Sequence, residues 1–238
     1  MEQLVFELAA PEPPRLANFL PGRNAELVGL LPRFVAGGLD ATALLLWGTP
    51  SAGKSHLLRA ALALAQEQGV ASWLIDHPAE LNDVGEHVGS TFCAIDRIDE
   101  ADASASARIF TLFNAAKERG GRIIAASRAP LAALPLREDL RSRLAWGLVY
   151  EVLPLADEDK PSALAAYARE RGFALAGEVI EYLLRHGRRD MRSLLATLDA
   201  LDRRSLAAKR PITVPLLRDW LQQEIQCKKP APSGPASD

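Results

Sequence analysis

The sequence predicts an α/β protein: a doubly wound parallel sheet of five strands, followed by a small all-helical lid domain. Three observations predict it. Apolar strand-like runs alternate with amphipathic helical patterns through the first two thirds of the chain. A glycine-rich octapeptide, Gly48-Thr49-Pro50-Ser51-Ala52-Gly53-Lys54-Ser55, sits between the first of these runs and the helix that follows. After Pro154 the strand pattern stops and only helical periodicity remains.

Taken in order, residues 1–14 carry a short apolar hexapeptide and then Pro11, Pro13 and Pro14, which reads as an arm on a stiff extended segment. The α/β domain is expected over residues 15–155. Its first helix runs from about 24 to 36 through Leu27, Leu30, Leu31 and Phe34, and ends near Gly37-Gly38. Ala41–Trp47 is apolar apart from Thr42, as a strand buried on both faces must be. Leu57, Leu58, Ala61, Leu62 and Ala65 then trace one face of a helix closing near Gly69. Further strands are expected at Ala71–Ile75, Thr91–Ile95, Arg122–Ala126 and Leu148–Leu153, with a helix through Ile109–Ala116 stopped by Gly120-Gly121.

Beyond Pro154 a helical domain is expected over residues 156–226. Its helices are a first one capped by Asp157 and ending at Gly172, then Val179–His186, then one capped by Asp190 reaching Ala207, and a last one capped by Thr213. Residues 227–238 are polar and proline-rich, a composition that packs no core. The tryptophans at 47, 73, 146 and 220 fall at helix or strand spacing and read as mostly core.

The 238 residues are 48% apolar and carry a net charge of −2, which gives no sign of a chain built to coat nucleic acid. No apolar run approaches the ~18 residues of a membrane helix, and the N-terminus lacks a signal pattern, so a cytoplasmic protein is expected. Cys93 and Cys227 are the only cysteines, one in a strand pattern and one in a polar stretch, which argues against a disulfide framework.

The octapeptide is the strongest chemical signal. Backbone N–H groups must wrap around phosphates there, and Cβ atoms at the glycines would obstruct them. Gly53 opens a helix whose N-terminus favours anions. Lys54 reaches the outer phosphates and Ser55 offers a hydroxyl to magnesium. Magnesium also needs a carboxylate at the end of a nearby strand, and Phe92-Cys93-Ala94-Ile95-Asp96 supplies one in Asp96. The expected ligands are therefore ADP or ATP with Mg, held at the carboxyl ends of the strands.

These residues resemble the AAA+ family, in the branch that holds the replication initiator DnaA and its regulators. The resemblance runs from Phe19 to about Leu221. Asn18-Phe19-Leu20-Pro21-Gly22-Arg23-Asn24 is similar to the segment that encloses the adenine in that branch. Leu140-Arg141-Ser142-Arg143-Leu144-Ala145-Trp146-Gly147 resembles its arginine-finger motif, which implies the finger role for Arg143. Asp190-Met191-Arg192-Ser193-Leu194 is similar to the sensor II helix, which implies a phosphate contact for Arg192, and Ala126-Ser127-Arg128 corresponds to sensor I without its usual neighbouring Asp.

Two features favour a regulator over an initiator. The chain is expected to lack the C-terminal helix-turn-helix domain of DnaA. Gln3-Leu4-Val5-Phe6-Glu7-Leu8 also resembles the peptide that docks on the DNA polymerase sliding clamp, with Gln3, Leu4, Phe6 and Leu8 as the contact residues. The implied function is regulatory inactivation of DnaA: a nucleotide-bound adaptor on the clamp whose Arg143 stimulates hydrolysis of DnaA-bound ATP, so that re-initiation is prevented. Implied partners are DnaA and the clamp, with DNA reached through the clamp and no membrane; whether copies of the chain associate is left open. AAA+ enzymes usually place an acid directly after the magnesium-binding Asp, whereas here that residue is Arg97, so weak intrinsic ATPase activity is expected. The basic stretch Arg185, Arg188, Arg189, Arg203, Arg204, Lys209 and Arg210 reads as a solvated helix face, with a face along which DNA phosphates lie as the alternative. The alternative is an autonomous AAA+ motor or helicase loader.

Overall fold

The structure, a computed structural model, describes residues 13–81 and 92–227. The clamp-like residues Gln3, Leu4, Phe6 and Leu8 lie outside the described residues, as does Thr91. The chain divides into two compact units, with the break between Pro154 and Leu155.

The first unit is built on five parallel strands: β1 Ala43–Trp47, β2 Ser72–Ile75, β3 Phe92–Ile95, β4 Arg122–Ser127 and β5 Leu148–Glu151. Their order is β2-β3-β4-β1-β5. Every pairing is parallel, with Leu44 opposite Ile124 on one side and Leu148 on the other. Period-two alternation splits the strand side chains between two apolar layers. Ala43, Leu45, Cys93, Ile95, Ile123 and Ala125 pack with Ile109, Leu112 and Phe113 of α3 (Ala103–Arg119) and with Leu140 and Leu144 of α4 (Glu138–Ala145). Leu44, Leu46, Phe92, Ala94, Ile124 and Ala126 pack with Leu27, Leu31 and Phe34 of α1 (Ala25–Val35) and with Leu57, Leu58 and Ala61 of α2 (Lys54–Glu67). Leu44, Leu45 and Leu46 are fully buried, which contributes about 1.5–3 kcal/mol each.

Strands β1, β2 and β5 are shorter than their apolar runs suggest, whereas β4 runs one residue further, to Ser127, where it pairs with Trp47. Helix α3 begins well before the Ile109 stripe: Asp102 caps it, accepting a hydrogen bond from Ala105 N at 2.7 Å. Helix α4 has no separate periodic signal and overlaps the motif at 140–147, beginning two residues before it.

The second unit holds α5 Lys160–Glu170, α6 Gly177–His186, α7 Met191–Ala208 and α8 Val214–Cys227. Its core gathers Leu164, Val179, Leu183, Leu194, Leu198, Leu201, Ile212 and Leu217. Asp190 caps α7, accepting from Ser193 N at 2.9 Å. Asp157 does not cap α5. Its carboxylate takes the ammonium of Lys160 at 2.6 Å instead, and Lys160 also donates to Arg189 O at 2.7 Å. A nearly buried ammonium competes for the carboxylate more strongly than a backbone N–H does. Among the described residues no helix is long and apolar enough to cross a membrane.

Candidate nucleotide site and arginine surface

The loop joining β1 to α2 is shaped by residues that only a glycine-rich stretch permits. Gly48 has φ 151°, and a Cβ there would lie 2.4 Å from Val152 O. Gly53 has φ 103°, and a Cβ there would lie 2.7 Å from the Phe19 ring. Ser51, with φ 63°, adds a left-handed non-glycine residue. Two cramped glycines and a left-handed serine bend the chain so that it enters α2 at Lys54. That puts the N-terminus of a 14-residue helix directly behind the loop.

Lys54 is almost completely buried, and its Nζ donates to Gly48 O and Thr49 O at 2.8 Å each. Burial draws its proton affinity below the usual lysine range, while Asp96 and Asp99 act against that fall and Arg128 adds to it. Asp96 sits at the carboxyl end of β3, 7% exposed, with one carboxylate oxygen accepting from Arg97 N at 2.9 Å. The loop, Ser55 in the first turn of α2, and Asp96 therefore fit a polyphosphate with a divalent cation: a cradle free of Cβ atoms, a buried ammonium, a hydroxyl and a buried carboxylate.

The segment before α1 closes over α2. Phe19 lies 5.5 Å from His56, whose Nε2 meets Arg15 O at 3.0 Å, and burial lowers the affinity of that imidazole for a proton. Asn24 exchanges two hydrogen bonds of 2.8 Å with the backbone of Leu153, tying this segment to the chain leaving β5.

One feature of the site carries no sequence signal that links its parts. Arg128, just after β4, pairs with Asp99 through Nε at 2.9 Å and also pairs with Glu100, whose other oxygen meets His77 at 2.9 Å. Asp99 and Glu100 follow Arg97, which adopts a left-handed conformation with φ 52° and is exposed. The two acids nearest Asp96 in sequence are thus held by a cation and a histidine, 28 and 29 residues from Arg128 in the chain.

Arg143 keeps different company. It lies on α4, half-exposed, with its guanidinium carbon 4.5 Å from the centroid of Trp146 and 5.7 Å from that of Phe110 on α3. Lys117 of α3 stands 4.8 Å from the same Trp146 ring. Trp146 is 62% exposed and is not a core residue, which corrects the expectation for it. The reason is Gly147: a Cβ there would lie 2.3 Å from Ala43 O, so the chain passes tightly against β1 and leaves the preceding indole outside. In the helical unit, Arg192 is exposed in the first turn of α7.

Comparison with known proteins places this geometry. Residues 157–221 match the family model described as Hda, lid domain. Domain III of the replication initiation protein DnaA from Thermotoga maritima is similar with a TM-score of 0.75 and 17% identity, over 90% of this chain and 97% of that one. AMPPCP-bound DnaA from Aquifex aeolicus gives a TM-score of 0.70 and 20% identity, over 81% of this chain and 65% of that one. The RuvB Holliday junction branch migration motor of Thermotoga maritima gives 0.67 and 15%, over 89% and 72%. The chain thus spans just under two thirds of the longer DnaA chain. The chain therefore shares its fold with DnaA domain III and RuvB, and residues 157–221 resemble the Hda lid domain.

Proposed function

We propose that this chain is a cytoplasmic, nucleotide-bound regulator that inactivates DnaA: docked on the DNA polymerase sliding clamp through Gln3, Leu4, Phe6 and Leu8, it stimulates hydrolysis of the ATP that DnaA holds. The observation that carries the reading is Arg143. The residue is half-buried, its guanidinium lies against the Trp146 and Phe110 rings, and among the described residues no carboxylate pairs with it. An always-charged planar donor held without a salt bridge is suited to meet phosphate oxygens on another molecule. An arginine supplied in trans to a transferring phosphoryl group can raise its rate by about 10³–10⁵.

The chain's own nucleotide, held by Gly48–Ser55 with Ser55 and Asp96 toward Mg, serves as a structural ligand, ADP above all. Intrinsic turnover needs a group that accepts a proton or orients water. Arg97 does neither, and Asp99 and Glu100 are engaged by Arg128. The autonomous-motor reading requires one of those acids to be released.

The test has two arms. The full chain is retained on immobilised sliding clamp and the chain lacking residues 1–8 is not. Arg143→Ala keeps ADP binding but stops stimulating DnaA. Retention of the truncated chain removes the clamp from the proposal, and inhibition of initiation that persists in Arg143→Ala would point to sequestration of DnaA instead.

A further inference from the structure

We propose that Trp146 and Lys117 belong to the same functional surface as Arg143: Trp146 is the positioning residue that holds the guanidinium outward, and Lys117 supplies a second cation to the polyphosphate of the nucleotide on the partner. This rests on the reading of Arg143 given above.

Three observations carry it. First, an indole 62% exposed at the end of α4 takes part in neither apolar layer of the sheet, so packing gives no reason for a tryptophan there. Secondly, two cations converge on that single ring, Arg143 at 4.5 Å and Lys117 at 4.8 Å from its centroid. Each is attracted by the ring's quadrupole. The two cations repel each other, and among the described residues neither has a carboxylate partner to relieve it. A polyphosphate brought to this face satisfies both. Thirdly, the geometry is imposed by backbone. Phe110 and Lys117 lie two turns apart on one face of α3, and Gly147 pins the chain to β1 directly after Trp146. The ring, the guanidinium and the ammonium are therefore presented by two packed helices and a tight turn.

The chemistry follows from charge and shape. A planar guanidinium stacked on an indole loses the freedom to fold back onto its own helix while keeping its N–H edges open to anions. A nucleoside triphosphate at an open site of the partner offers those edges its terminal phosphate and offers Lys117 an adjacent oxygen. Contacts of this kind, at an exposed face, are worth about 0.5–1 kcal/mol per cation–π pair, or about two- to fivefold in rate.

The experiment measures hydrolysis of ATP on ATP-loaded DnaA, with clamp-loaded DNA present, as a function of the concentration of this chain. Variants are Trp146→Leu, Trp146→Phe, Lys117→Ala, Lys117→Arg and Arg143→Ala, each checked for an unchanged thermal midpoint and unchanged ADP binding. Trp146→Leu is expected to lower the maximal rate about two- to fivefold with the half-saturating concentration unchanged, and Trp146→Phe to recover most of it. Lys117→Ala is expected to lower the rate by a similar factor, and Lys117→Arg to restore it. If Arg143→Ala abolishes stimulation while Trp146→Leu and Lys117→Ala leave the maximal rate intact, this inference is overturned and the finger stands. If Trp146→Leu raises only the half-saturating concentration, Trp146 is a docking residue and the positioning role is wrong. If Arg143→Ala itself stimulates normally, the function proposed for the chain fails, and this surface with it.

Discussion

Lys54 shows how much a single residue can be asked to do. Its ammonium is nearly buried and held by two backbone carbonyls of its own loop, with Asp96 and Asp99 offsetting part of the cost of burial. A polyphosphate entering the loop offers that charge a stronger partner than a carbonyl, and charge-assisted bonds are worth about 1.5–3 kcal/mol each. Lys54→Ala is therefore expected to weaken ADP binding roughly 10- to 100-fold in a fluorescent-nucleotide titration, with the fold retained. An affinity equal to wild type would mean that the loop grips nucleotide without its lysine. This part of the site was legible in the sequence because Gly48–Ser55 is contiguous and each position has one physical task. The engagement of Asp99 and Glu100 by Arg128 was not legible, since it joins residues from two loops that become neighbours only when β3 and β4 pair. The exposure of Trp146 was misread for a related reason: tryptophan at helical spacing reads as core unless the packing of Gly147 on Ala43 is known.

At the scale of elements, the five strands follow from their apolar runs, while their ends follow from their partners. Leu148–Glu151 stops where β1 stops, although the apolar character continues through Val152. The turn from α4 into β5 is the most constrained junction near Arg143. Gly147→Ala would push a methyl carbon to 2.3 Å from a backbone oxygen, so β1 or α4 must shift. A loss of roughly 1–3 kcal/mol is expected in the urea midpoint, with stimulation of DnaA reduced even where the protein remains folded.

The lid offers a second test at this scale. Tyr167 of α5 donates its hydroxyl to Asp199 of α7 at 2.7 Å, and burial together with that carboxylate raises the phenol from its ordinary 10 to about 12. A phenol that keeps its proton more tightly when folded contributes stability that is complete below pH 10 and lost as pH rises toward 12. Thermal denaturation of the lid should therefore show a fall across that window, and Tyr167→Phe should flatten it. An unchanged slope in Tyr167→Phe would assign the fall to other groups. Asp190 was readable as a cap because Arg188 approaches only its other oxygen, at 3.9 Å, whereas Asp157 was misassigned because the cation that captures it lies within the same turn.

For the whole molecule, the proposal separates two roles for nucleotide. In it, the loop at Gly48–Ser55 would hold one nucleotide for structure, and the α3–α4 surface would address another belonging to a partner. A net charge of −2 gives no broad attraction to DNA, so recruitment to replicating DNA falls to the arm at residues 3–8. Truncating that arm is expected to reduce stimulation when the clamp is limiting and to restore it at high concentrations of this chain, because docking raises local concentration and does no chemistry. The fold class was legible across this whole length, since alternation and loop context repeat the same message. The proposed partner surface was legible only as far as Arg143, because Trp146 was read as core and Phe110 and Lys117 come from α3, whose contribution has no motif.

The most direct measurement is a single-turnover assay in which DnaA carries radiolabelled ATP and this chain carries ADP. Clamp-loaded DNA is present, and the conversion of label to ADP is followed for wild type and Arg143→Ala. Wild type should accelerate conversion and the variant should lose about 10³-fold or more of that acceleration, with its own ADP and its clamp contact retained. Equal acceleration by the two proteins would contradict the claim that this guanidinium acts on the partner's triphosphate.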